Sequence, residues 1–304
     1  MIYRLGLFTV LAVTHFASCS AQRLPHELKR RIQDTLAKHP GVFAVAFKDL
    51  GTGEEVLINE RETFHAASTM KVPVMIEVYK QVAKGKIQIA DSVPVTNSFK
   101  SIVDGSLYSL DPADDSDQEL YKKTGAKEEL RELVYRMITR SSNLATNTVI
   151  ALVDPKAVTR TMRELGAKDI QVLRGVEDGK AYQQGLNNTT TANDLMVIFE
   201  NIARGKAVRK VLPKWSTTFC NLMTDILLKQ EFNDIIPARL PKDVRVAHKT
   251  GEISGVRHDA GIVFLPDGRK YVLVLLSKQL KDVEEGVQAM AGVSEMVYRY
   301  ISSQ

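Results

Sequence analysis

VRVAHKTGEISGVRHDAGIVFLPDGRKYVLVLLS, residues 244–277, is the stretch that decides the fold. Val244 to Lys249, Ala260 to Leu265 and Tyr271 to Ser277 alternate or run apolar in short lengths. Gly residues and Pro266-Asp267-Gly268 break them, the pattern of three strands joined by hairpin turns. Far upstream, Val42 to Phe47 is apolar and β-branched, Gly51-Thr52-Gly53 is a turn, and Glu55 to Ile58 resumes as a second hairpin arm. Between these strands lie helical patterns over Ser68 to Lys84, Glu128 to Arg140, Asn143 to Val153, Pro155 to Leu165 and Asn193 to Ala203. Pro73 falls in the early turns of the first of them, where a missing N–H is tolerated. Leu24 to Lys38 and Gly286 to Ile301 add a helix near each end. Strands at both ends with helices between imply an α/β (α+β) fold, with one antiparallel sheet built from both termini, flanking helices and an inserted all-helical subdomain. The expected division is an α/β lobe over about 22–66 and 210–304 and a helical lobe over about 67–209.

Composition narrows the classes of function. Apolar residues make up 44% and charged residues 25%, which argues against disorder and against an integral membrane protein. Lys and Arg outnumber Asp and Glu by 41 to 36, but the excess is scattered, so nucleic acid is not an expected partner. The histidines form no His-Glu-x-x-His pair, and no Cys/His cluster has zinc-ligand spacing. Gly175 to Lys180 has three residues between its glycines where a phosphate loop has four. No metal and no cofactor is therefore expected. The acidic run Asp111, Asp114, Asp115, Asp117 and Glu119 lacks calcium-loop spacing and reads as a solvated loop.

The N-terminus reads as an export signal over residues 1–21. Arg4 supplies a positive charge, Leu5 to Phe16 is mostly apolar, and Phe16-Ala17-Ser18-Cys19 resembles a bacterial lipoprotein signal whose Cys is lipidated. Cleavage near Ala21 by an ordinary signal peptidase is the alternative. The expectation is a single monomeric catalytic domain over 22–304, periplasmic or anchored to a membrane through Cys19. Cys220 then has no partner and reads as a buried small hydrophobe.

Three short motifs carry chemistry. Ser68-Thr69-Met70-Lys71 is Ser-x-x-Lys at a helix start, with the Lys almost one turn from the Ser and on the same face. A serine hydroxyl needs a neighbour to take its proton, and a desolvated Lys can do so. Alone the motif is weak, since a chain of this length holds about one by chance. Ser141-Ser142-Asn143 joins two helices and offers a hydroxyl for proton relay and an amide for a substrate carbonyl. His248-Lys249-Thr250-Gly251 sits on the first C-terminal strand, where an ammonium can meet a substrate carboxylate and Gly251 lets a substrate backbone approach.

In this order and on these elements, Ser68-x-x-Lys71, Ser141-x-Asn143 and Lys249-Thr250-Gly251 resemble the signature elements of penicillin-recognising serine enzymes, class A β-lactamases in particular. The likeness runs from the first hairpin to the final helix. It implies a β-lactamase/transpeptidase-like fold and hydrolysis of a small-molecule β-lactam through an acyl-enzyme on Ser68. Ser68, Lys71, Ser141 and Glu177 would be catalytic, and Asn143, Lys249, Thr250, Gly251 and Glu252 would bind substrate. Glu177, in Arg174-Gly175-Val176-Glu177-Asp178, stands 36 residues after Ser141, an interval similar to that of class A enzymes. It would activate the deacylating water from an Ω-shaped loop that runs to Thr191. The backbone N–H groups of Ser68 and Glu252 would form the oxyanion hole. Arg257 or His258 would assist Lys249 in holding a carboxylate. The chain departs from class A in Ser142 for an Asp, in one extra residue between Arg174 and Glu177, and in Ala181 for a water-holding Asn, which Asn187 or Asn188 would replace. A serine peptidase or esterase of the same fold, or a penicillin-binding protein acylated without turnover, is the alternative.

Overall fold

The computed structural model of the chain describes residues 14–304, with side chains from residue 25 onward. The lipoprotein-signal motif at Phe16 to Cys19 rests on side chains outside that range. The chain opens with helix α1 (Thr14–Leu36) and the hairpin β1 (Val42–Asp49) and β2 (Glu55–Ile58). It closes with β9 (Arg245–Ile253), β10 (Val256–Phe264), β11 (Lys270–Lys278) and helix α9 (Val283–Ser302). These strands form one antiparallel sheet in the order β2-β1-β11-β10-β9, so both chain ends build it, as the sequence pattern predicts.

Side-chain alternation splits the core in two. Phe43, Val45 and Phe47 of β1 and Leu273 and Leu275 of β11 pack with Leu28, Ile32 and Leu36 of α1 and with Val293 and Val297 of α9. Ala44 and Ala46, with Val272, Val274 and Leu276, face the opposite way into the helical region. A strand's period of two delivers both faces from one run of residues. On the inner side stand α2 (Lys71–Ala83), α3 (Leu130–Thr139), α4 (Asn143–Val153), α5 (Pro155–Leu165), the short α6 (Gly179–Gln183), α7 (Ala192–Ala203) and α8 (Ser216–Leu227). Three small ladders, β3 (Phe64–His65) with β8 (Thr189–Thr190), β4 (Ser92–Pro94) with β7 (Lys127–Glu129), and β5 (Phe99–Lys100) with β6 (Leu107–Tyr108), tie the loops between them.

Three differences from the sequence pattern bear on the site. β9 and β10 do not stop around Gly251 but run on to a hairpin turn at Ser254-Gly255, where Gly255 takes φ +67°. Gly251 therefore lies inside a strand at the sheet edge. The helix expected from Ser68 begins as a 3₁₀ turn over Ala67–Met70 and becomes α-helical at Lys71. Helix α8 has no counterpart in the predicted elements; it buries Cys220, Met223 and Leu227 at helical spacing, which places Cys220 in the core as expected.

Candidate active site

The turn that carries Ser68 is held under strain. Ala67 has φ +44°, a left-handed conformation that costs a non-glycine residue about 1–2 kcal/mol. It is fixed by its own N–H donating to His65 Nδ1 at 3.0 Å and by Thr69 N donating to Ala66 O at 3.1 Å. Ser68 follows, half-buried at the bottom of a cleft. Gly251 of β9 faces this turn: a Cβ there would stand 3.2 Å from Ala67 Cβ, Ser68 N and Thr69 Cγ2. The missing side chain thus lets the edge strand close on the Ser68 turn, and it does so while Gly251 lines the cleft.

Lys71 and Lys249 are both fully buried and converge on Ser141. Lys71 Nζ donates to Ser141 O (2.7 Å), Ser141 Oγ (3.1 Å) and Asn143 Oδ1 (2.9 Å), which uses all three of its protons. Lys249 Nζ donates to Ser141 Oγ (3.1 Å) and Thr250 O (3.0 Å). With both hydroxyl lone pairs engaged, the Ser141 proton is turned away from the lysines. Burial lowers Lys71 to about 7, against the opposing pull of Asp115 and Glu177. Burial and then the neighbouring Lys71 hold Lys249 well below its ordinary value. Lys71 can therefore take and return a proton near neutral pH. Ser141 sits at φ +57° between α3 and α4, the second strained position in the cleft.

Glu177 is the third, at φ +61°. Its Oε1 accepts from Asn143 Nδ2 at 2.5 Å, so Asn143 joins Lys71 on one side to Glu177 on the other. Burial of the carboxyl raises Glu177 above its ordinary value, and the Asn143 bond partly offsets this. The loop is aimed by Asn147, a residue the sequence reading does not single out. Asn147 Oδ1 accepts from Val176 N (2.6 Å) and its Nδ2 donates to Val176 O (3.0 Å). Asn147 stands four residues after Asn143 on α4, one turn along the same face, and that spacing is the signal that could have found it. Glu177 opens on a cavity of about 470 Å³ that also takes in His65, Ser68 and Tyr182, while a cavity of about 390 Å³ reaches Ser68 from the Thr250–Arg257 side.

Several sequence expectations are corrected here. Asn187 and Asn188 do not take a water-holding place beside Glu177. Asn188 Oδ1 accepts from Leu173 N (2.8 Å) and its Nδ2 donates to Arg174 O (3.0 Å), while Asn187 Oδ1 accepts from Arg174 Nη2 (3.1 Å), so both amides pin the neck of the loop. Asp178, next to Glu177, is buried, accepting from Ser101 Oγ (2.9 Å), Ile102 N (2.9 Å) and Ala181 N (3.1 Å). His258 is buried with both ring nitrogens against backbone groups of His65, Arg257 and Ser277. Burial lowers it to about 4, so it carries no charge for a carboxylate. Arg257 lies in the cleft instead, ion-paired with its register partner Glu252 across the hairpin, and its Nε is buried without a partner. The acidic run is not uniformly solvated either. Asp115 and Asp117 are buried, and Asp117 accepts from Arg136 Nη1 at 3.0 Å. Among the described residues, no group of three His, Cys, Asp or Glu side chains is placed to hold a metal ion.

Comparison with known proteins places the chain in a family. The chain is 24% identical over 266 residues to Beta-lactamase 1 of Bacillus cereus, which covers 85% of this chain and 78% of that protein. A crystal structure of a beta-lactamase from Sphaerobacter thermophilus is similar at 25% identity and a TM-score of 0.77, covering 91% of this chain and 97% of the other. An acyl-enzyme complex of a PBP-A variant with penicillin G is similar at 26% identity and a TM-score of 0.76, covering 92% and 97%. The sequence model of the beta-lactamase enzyme family matches residues 27–301, nearly the whole chain, and the protein belongs to that family.

Proposed function

We propose that the protein hydrolyses β-lactams by a class A-like serine mechanism. The observation that carries this reading is the single hydrogen-bonded chain Lys249–Ser141–Lys71–Asn143–Glu177 arranged around Ser68. Lys71 in its neutral form takes the Ser68 proton, and Ser68 Oγ attacks the lactam carbonyl. The backbone N–H groups of Ser68 and Glu252 receive the oxyanion. The ring nitrogen leaves with the Ser141 proton, and Lys71 replaces it with the proton taken from Ser68. Glu177 then takes a proton from a water that attacks the acyl carbonyl, the bond from that carbon to Ser68 Oγ breaks, and Glu177 passes its proton to Oγ, restoring both groups. Lys249, Thr250 and Arg257 meet the substrate carboxylate. The test is hydrolysis of a chromogenic cephalosporin by the wild type and by Ser68→Ala. Turnover that survives Ser68→Ala would sink the mechanism.

A second reading is favoured by one observation. The amide of Asn188 and the Oδ1 of Asn187 are engaged at the loop neck, and Ala181 is buried, which leaves the deacylating water with fewer holders beside Glu177. On that reading the chain is a penicillin-binding relative or a peptidase of the same fold. Acyl-enzyme accumulating on wild-type Ser68, seen as a stable mass shift, distinguishes it.

A further inference from the structure

The loop over Asp111 to Glu119 meets the active site twice over: Asp114 and Ser116 line the cleft beside Ser68, and Asp115 bonds to the start of α4. Helix α4 begins at Asn143, and its first backbone N–H groups need partners from outside the helix. Ser142, where class A enzymes usually carry Asp, caps only Ala145 N, at 3.3 Å. Asn143 N and Leu144 N both donate to Asp115 Oδ2, each at 2.9 Å. Tyr121 OH donates to the same oxygen at 2.9 Å, and Asp117 N donates to Asp115 Oδ1 at 3.0 Å. Asp117 is itself clamped by Arg136 of α3, so the loop bridges the two helices that flank Ser141. The residue held in this way is not an ordinary helix start. Asn143 is the side chain that holds Lys71 with one end and Glu177 with the other.

We propose that Asp115 is a positioning residue for acyl transfer at Ser68, supplying from a neighbouring loop the carboxylate that position 142 lacks. It fixes the first turn of α4 through charge-assisted bonds, and through Asn143 and Ser141 it sets the acceptors that hold Lys71. Its charge also favours the protonated form of Lys71, together with Glu177 and against Lys249. The proposal rests on the reading of Ser68 and Lys71 given above.

The test compares wild type, Asp115→Asn and the double variant Asp115→Asn/Ser142→Asp. Two readouts are taken: titration of Lys71 in the free protein by ¹³Cε chemical shift, and the rate at which a labelled penicillin acylates Ser68. Asp115→Asn should move the Lys71 midpoint to lower pH, because a negative neighbour has gone, and should slow acylation by up to about 10²-fold. Ser142→Asp should restore both when added to it. A purely structural role would lower stability without moving the Lys71 midpoint. Asp115→Asn with wild-type titration and acylation overturns the proposal, as does a double variant that fails to fold or to acylate. If wild-type Ser68 takes no label, the β-lactam reading has failed on its own, and the Lys71 titration still decides the role of Asp115.

Discussion

On the proposed mechanism Glu177 and Lys71 divide the chemistry at the residue scale, and each can be tested alone. Glu177→Gln keeps the acceptor for Asn143 Nδ2 but cannot take a proton from water. Loss of a general base costs about 10²–10⁴-fold, so deacylation should slow by that much while acylation changes little. Mass spectrometry should then find the acyl adduct accumulating on Ser68. Asp178→Asn should behave differently, lowering Tm, because an NH2 replaces one of the two buried oxygens that accept from Ser101 Oγ, Ala181 N and Ile102 N and sets a donor against a donor. Lys71 makes a prediction about pH. Burial holds it at about 7, and the form that accepts the Ser68 proton is the neutral one, populated above that value. The acylation rate should therefore rise with pH through about 7 and level off above it. A rate constant with penicillin that is flat from acid to neutral pH would remove Lys71 as the base.

At the scale of elements, the site is a meeting of four pieces: the 3₁₀ turn before α2, the α3–α4 junction, the loop after α5 and the edge strand β9. Packing between two of these can be disturbed without touching a reacting group. A Cβ at Gly175 would stand 2.3 Å from Asn147 Oδ1, which holds Val176 and so aims Glu177. Gly175→Ala should therefore swing Glu177 and slow deacylation by more than tenfold, a displacement of about 1 Å being enough for 10². Single-turnover kinetics should show acylation little changed; equal losses in both steps would mean that the whole cleft had moved. The motif residues were legible in the sequence because each pair lies close along the chain. Ser68 and Lys71 are one helical turn apart, Ser141 and Asn143 share one junction, and Lys249 to Gly251 share one strand. Asp115 was not legible, since its partners Asn143 and Leu144 lie 28 and 29 residues away and only folding decides which carboxylate of an acidic run turns inward. The same holds for Asp178 against Ser101 and for His258 against His65, contacts 77 and 193 residues apart. Local pattern also misjudged Gly251, which breaks the alternation in sequence yet lies inside β9, where the Ser68 turn packs against it.

At the scale of the molecule, the sheet is covered on its inner side by the helical region that carries the site and on its outer side by α1 and α9. This bears on where an export signal can end. Leu28, Ile32 and Leu36 of α1 are buried against the outer face formed by Phe43, Val45 and Phe47. Each such side chain contributes about 1.5–3 kcal/mol on burial. Together the three aliphatics approach the roughly 5–15 kcal/mol that separates folded from unfolded for a whole domain. Removal of residues 1–21 should leave Tm unchanged, whereas removal of residues 1–36 should give an insoluble chain, and expression of the two truncations checks this. Both proposed processing points, before Cys19 and after Ala21, spare the packed part of α1, so folding does not choose between them. Lipid chemistry does. If Cys19 carries the anchor, the wild type should partition with the membrane fraction and Cys19→Ser should release it or leave it unprocessed, with hydrolysis of the chromogenic cephalosporin intact in either fraction. Wild-type protein recovered free, with Gln22 at its N-terminus, would instead mean plain secretion.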